Sequence, residues 1–230
     1  MEPIPTSTRD AETETTTEPA PAFSRSIDWA IGGVLGLLGL LMALGGWVLY
    51  AAIDRQGIAT VIREGEFRSD VLTEAEAIDV LVAIAEWGGL GLAAVGVLLV
   101  LFGVAVVWGH GRARRHGRGT PNWVLGVVGA IVSTVLSFVP FSPLLGGAAA
   151  SCLSTDRADS GVAAGTFAGI FTTIPALVGL GFVGVGLFSA LPEATAGGAV
   201  LALAVGIAFT IVYVIGLSAI GGYAGRRFAS

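Results

Sequence analysis

The chain has 230 residues, 54% of them hydrophobic and only 13% charged, with mean hydropathy +0.83 and a formal net charge of −5. A soluble domain cannot hide that much apolar surface, and the uncharged runs of about 20 residues match the bilayer thickness a helix must cross. These runs are continuous rather than alternating, which excludes a β-barrel. The expected class is all-α: a polytopic helical membrane protein of about six spans, one of them short. All 12 basic residues are Arg, against 17 acidic ones. An excess of surface carboxylate suits a halophilic setting, because molar salt screens charge beyond about 3 Å. The single Cys152 excludes an intrachain disulfide and any multi-cysteine metal site.

Residues 1–26 are rich in Thr, Glu, Pro and Ala, and too poor in large apolar side chains to offset the entropy of ordering. They are expected to form a disordered acidic tail. No basic start precedes the apolar run, so the first helix is expected to remain as an anchor. Residues 27–111 read as a two-span hairpin, with spans at about Trp29–Tyr50 and Trp87–Trp108. Trp29, Trp108 and Trp123 mark one set of span ends, and Trp47 and Trp87 the other, as an aromatic belt requires. Between the spans, Thr73 and Glu76 have capping-box spacing and predict a helix start near Glu74. Ile58, Val61 and Ile62 read as a short amphipathic turn on the membrane surface.

The loop from His110 to Gly119 carries Arg112, Arg114, Arg115 and Arg118, the densest positive charge in the chain. The positive-inside rule makes it cytoplasmic, together with the N-terminal tail. The later spans fall at about Trp123–Val139, Leu144–Leu153, Gly161–Phe188 and Gly198–Gly222. If the second of these crosses, nine of the 12 Arg lie inside and three (Arg55, Arg63, Arg68) outside, with both termini cytoplasmic. If it does not, the split is six to six. Ten residues reach only about half a bilayer core, but the charge asymmetry favours six spans. Ser142 as N-cap, with Pro143 at the first helical position, would start the short span.

Residues 122–227 read as a four-span, Gly-rich module. An apolar run meets Pro140-Phe141-Ser142-Pro143, a small-residue stretch from Gly146 to Cys152 returns, and a polar turn leads to Gly161, Gly165 and Gly169. These three glycines, with Gly146 and Gly147, are expected to pack helix on helix, Gly165 being central and Gly186 less confined. The expected partner of the ladder is the short returning helix. Gly32/Gly36, Gly146/Ala150 and Gly221/Gly225 repeat the four-residue spacing. From Trp123 through Pro-Phe-Ser-Pro, the Asp/Arg turn, the Gly ladder and Gly216-Leu-Ser-Ala-Ile-Gly-Gly-Tyr223, the sequence resembles small multi-spanning membrane proteins of halophilic archaea. That family is of unknown function. The resemblance implies a hairpin-rich helical module and supplies no catalytic residue.

Candidates for chemistry are few. Glu86 is the carboxylate nearest a span core, but Trp87 beside it places it at a solvated interface. Gly179-Leu-Gly181-Phe-Val-Gly184 matches a dinucleotide fingerprint only in form, since no βαβ unit surrounds it. Pro175 is expected to break its helix beside Thr172 and Thr173, a geometry more often structural than ion-binding. His110 and His116 have no third ligand nearby, and Cys152 reads as a small buried hydrophobe. No catalytic, cofactor or metal site is expected. The expected role is structural, accessory or in assembly, with the lipid bilayer and a homo-oligomer or membrane protein as partners and no nucleic acid. A transporter or channel is the alternative, with Thr172, Thr173, Thr210 and Tyr213 as its few mid-span polar groups. A membrane sensor using the acidic loop or tail is a third reading.

Overall fold

The structure, a computed structural model, describes residues 25–65, 69, 71–115, 120–154 and 159–229. Residues 1–24 of the tail expected to be disordered, together with His116, Arg118 and Arg157, lie outside the described residues, whereas Arg25 and Ser26 begin α1 instead. Seven helices follow one another: α1 (Arg25–Ala51), α2 (Arg55–Glu64), α3 (Glu74–Arg115), α4 (Asn122–Val135), α5 (Ser142–Cys152), α6 (Asp159–Ala190) and α7 (Glu193–Ala229). No strand occurs among the described residues. Helices α1, α3, α6 and α7 are long and apolar enough to cross a membrane, which is compatible with a multi-pass membrane protein. Helices α4 and α5, with 14 and 11 residues, reach only about 21 and 16 Å.

Glycine sets how these helices meet. Along α1 and α3, Gly32 faces Gly103, Gly39 faces Gly96, and Gly46 faces Gly89, so the two helices run antiparallel with a contact every seven residues. A Cβ at any of the six would overlap the partner's backbone or a side chain on it. Backbones this close gain dispersion and Cα–H···O contacts that larger residues would forbid. Gly36, paired with Gly32 by its four-residue spacing, borders this seam only through its backbone N near Gly103: a Cβ on Gly36 would meet nothing within 4 Å. Antiparallel contact repeats by the heptad, so the seam follows Gly39 instead.

Helix α6 joins the α1–α3 pair to the rest. Phe102 and Phe171 meet edge to face at 5.3 Å, Trp87 and Phe182 lie 6.2 Å apart, and Gly91 accommodates Phe182. Gly186 is confined as well, though its nearest contact is longer than that of Gly165: a Cβ there would lie 2.7 Å from Ala83 O and 2.8 Å from Trp87 Cβ. Buried Leu35, Val106, Val124 and Val127 form one core, with Phe171 against it; Leu125, Ala150, Ala164 and Ala168 form another. Helix α6 runs through Pro175 without interruption, contrary to the expected break. The Thr172 and Thr173 hydroxyls donate to Ala168 O and Gly169 O at 2.8 and 2.7 Å, on the turn before the proline.

The short α5 lies between α4, α6 and α7. Gly146 faces α4, where Gly129 and Ser133 leave no room for a Cβ, and Gly147 faces the Ser218 backbone of α7. The Ser218 hydroxyl donates to Pro143 O at 3.0 Å. Leu144 meets Gly221 and Ala148 meets Gly225, so α5 and α7 run parallel, while Gly129 against Gly146 and Ala150 makes α4 and α5 antiparallel. The Gly161–Gly165–Gly169 ladder packs on α7, at Gly222, Ser218 and Ile215, rather than on α5 as its sequence order suggests. Helix α5 starts differently from expectation. Phe141, not Ser142, is the N-cap, at φ 64° and ψ 23°, with Pro143 in the first turn. Ser142 is inside the helix because the chain reverses through Phe141 in the left-handed region, which costs a bulky residue about 1–2 kcal/mol.

The helix ends bearing Arg25, Arg112, Arg115, Arg226 and Arg227 gather at one end of the bundle, here termed the basic end. It comprises the start of α1, the end of α3, the starts of α4 and α6, and the ends of α5 and α7. Trp123 of α4 lies over Gly109 of α3, and the Arg226 guanidinium of α7 donates to Ser154 O just past α5. At the opposite end α2 packs on the start of α3. Ile62 is buried with Ala77 and Ile78, and Ile58 packs against them, so two of the three apolar residues expected at a membrane surface face protein. Val61 alone remains exposed. Asp54 caps α2 by accepting from the Gln56 and Gly57 N–H groups, and Arg55 and Arg63 pair with Asp79 and Glu74 of α3.

Candidate functional site

A cavity of about 1080 Å³ opens between α1 and α3 at the basic end. Helical periodicity builds both walls. On α3, Val104, Trp108, Arg112 and Arg115 follow one another at steps of three and four and therefore share a face. On α1, Arg25, Trp29 and Gly33 step by four, and Asp28 and Gly32 lie beside them on the same face. The glycine seam holds the two faces in register, since Gly32 and Gly103 both line the cavity and touch each other. Beside that contact the helices leave room. A Cβ at Gly33 or at Gly111, which also line the cavity, would meet nothing within 4 Å.

Three arginines and one aspartate, Arg25, Arg112, Arg115 and Asp28, line the cleft. Asp28 is buried, 3% exposed, and has a partner, as Arg112 does. Trp29 and Trp108 flank the opening and are exposed at 60% and 75%. Of the topology residues read from the sequence, Arg112 and Arg115 belong to this cleft; Arg114 lies on the same helix, and Arg118 is outside the described residues. The packing residues Gly146, Gly147, Gly161, Gly165 and Gly169 lie elsewhere, in the α4–α7 bundle. Sequence reasoning passed over Arg25 and Asp28 as parts of a site. Their signal was present in the four-residue step from Arg25 to Trp29, which needed a partner face to acquire meaning.

The mid-span polar groups do not converge. The Thr172, Thr173 and Thr210 hydroxyls each donate to the carbonyl four residues earlier in their own helix, and Tyr213 is exposed on α7. Glu86 is partly exposed on α3, next to Trp87. Cys152 is exposed, not buried: it is the last residue of α5, at the rim of the α5–α7 contact, with its thiol donating to Gly225 O at 3.6 Å. Among the described residues, no three His, Cys, Asp or Glu side chains group as metal ligands would. At Thr73 the expected capping box forms: Thr73 N–H donates to Glu76 Oε2 at 2.7 Å, and Glu76 N–H to Thr73 Oγ1 at 3.3 Å. The Thr73 backbone N–H, and after it the hydroxyl, hold the Glu76 carboxyl below its ordinary pKa.

Residues 123–228 match a family of unknown function, DUF5518. The match takes in α4 to α7 and leaves α1, α2, α3 and the cleft outside it. No curated protein and no solved structure matches the chain.

Proposed function

We propose that this chain is a non-catalytic membrane component with a structural, accessory or assembly role, built from a two-span hairpin (27–111) and a four-span module (122–227). It spans the membrane six times, α4 and α5 forming the short pair, with both termini and the basic end in the cytoplasm. The Arg-only base usage and the acidic tail favour a halophilic host. One observation carries the reading: the mid-span hydroxyls are turned back onto their own helices, while glycine brings neighbouring backbones together and fills the space between them. A conduit needs polar groups facing a shared path, and a transporter commonly exposes unwound backbone there; α6 instead stays helical across Pro175. Membrane-protein partners, or a second copy, would meet the apolar faces that α1 and α7 leave exposed.

The test is flux in proteoliposomes containing the full chain. Wild type and Glu86→Gln should both pass cations and small neutral solutes no faster than empty vesicles. A cation flux present in wild type and lost in Glu86→Gln would make the protein a transporter instead.

A further inference from the structure

We propose that the cleft between α1 and α3 is a binding site for the phosphate-bearing headgroup of an anionic glycerophospholipid. The inference rests on the membrane reading of α1 and α3, and not on the accessory role.

Charge gives the ligand its sign. Arg25, Arg112 and Arg115 outnumber Asp28 in the cleft, and guanidinium forks match phosphate oxygens in pairs. Position gives the ligand its source. Trp29 and Trp108 stand at the opening with large exposed indole faces, the arrangement that marks headgroup level in a bilayer. Beneath the Arg side chains, the lining continues as Val104, Val107 and glycine, which offers an acyl chain an apolar wall directly below its phosphate. A soluble phosphate would use the guanidinium groups and leave that wall uncovered. Basic pockets between helices at a cytoplasmic interface are suited to such headgroups.

Space gives the ligand its stoichiometry. Gly33 and Gly111 border open volume, whereas Gly32 and Gly103 are pressed together, so the cleft opens beside that contact. Gly33 and Gly111 are therefore positions where a side chain can be added without backbone collision. Gly36 is equally open and does not line the cleft, which makes it the matched control.

Native mass spectrometry of the full chain in detergent, titrated with dioleoyl phosphatidylglycerol or phosphatidylcholine, reads the site directly. One phosphatidylglycerol should bind about tenfold or more tighter than phosphatidylcholine. The double variant Arg112→Gln/Arg115→Gln should lose at least about tenfold, the scale of one charge-assisted hydrogen bond. Gly33→Leu should lose a similar factor by filling the cleft, and Gly36→Leu should lose nothing. Circular dichroism checks the fold, and Gly111→Leu replaces Gly33→Leu should the latter not fold. Equal affinity for the two lipids, or undiminished binding when the cleft is filled, would overturn the proposal. Displacement of the lipid by inorganic phosphate at comparable concentration would overturn its lipid source. A flux in proteoliposomes would defeat the accessory role without touching any of these outcomes.

Discussion

At the scale of single residues, what matters most is where a hydrogen stands in place of a methyl group. Gly165 touches α7 backbone: a Cβ there would lie 2.8 Å from Gly222 Cα and 3.0 Å from Gly222 N. Neither atom can move without α7 moving, so Gly165→Leu should lower stability by about 1–3 kcal/mol or more, as overpacking does. Gly206, on α7, has open space where its Cβ would be. There the leucine gains helix propensity worth about 0.5–1 kcal/mol, so Gly206→Leu should hold or raise stability. Thermal unfolding in detergent compares the two, and equal midpoints would count against backbone contact at Gly165. The four-residue spacing made Gly165 legible as a packing residue. It did not reveal which helix it packs on, because small residues announce a close approach and not a partner. Gly186 illustrates the converse: nothing in the long apolar run around it signals that Trp87, about 100 residues earlier, fills the space beside it.

At the scale of elements, local chemistry was readable and inter-helix register was not. The start of α3 needed only Thr73 and Glu76 three residues apart, since a capping box is satisfied within one turn. The α1–α3 seam required six glycines at seven-residue steps on two helices, and a search at four-residue steps catches only Gly32 with Gly36, which borders the seam only through its backbone N. The cleft inherits that difficulty. Each wall is a helical stripe visible in sequence, but the Gly32–Gly103 layer is what sets Trp29 and Trp108 at one opening. The capping box also carries a pH dependence. The folded-state pKa of Glu76 is lowered by the Thr73 bonds to its carboxylate, so its contribution is fully present above the unfolded-state pKa. It is lost as pH falls through the lowered folded value. Amide exchange at the start of α3 should therefore be slower in wild type than in Glu76→Gln at neutral pH, and the gap should close as pH falls below the ordinary carboxylate range. A gap that stayed constant into acid would mean that the charge plays no part.

At the scale of the whole molecule, the direction of α5 decides how the bundle is threaded. Composition and hydropathy were enough to read an all-helical chain compatible with a multi-pass membrane protein, but an 11-residue helix could be a crossing, a re-entrant segment or a surface loop. In the structure α5 runs against α4 and alongside α7, and it ends where Arg226 meets Ser154. The α4–α5 pair thus leaves the basic end and returns to it. Whether its turn reaches the far headgroups or stops inside the bilayer, α6 starts again at the basic end and α7 finishes there. The side on which the C-terminus emerges is consequently independent of how deep the short pair goes, and the Arg side chains of α1, α3 and α7 fall together. With the basic end in the cytoplasm by the positive-inside rule, both termini should be cytoplasmic. In a Cys152→Ser background, Ser7→Cys and Ala229→Cys should each resist a membrane-impermeant thiol reagent in intact cells and react after lysis. Gln56→Cys, on the exposed face of α2 at the opposite end, should react in intact cells. Labelling of Ala229→Cys in intact cells while Ser7→Cys stays protected would put the C-terminus outside, and would require a threading in which α5 does not return.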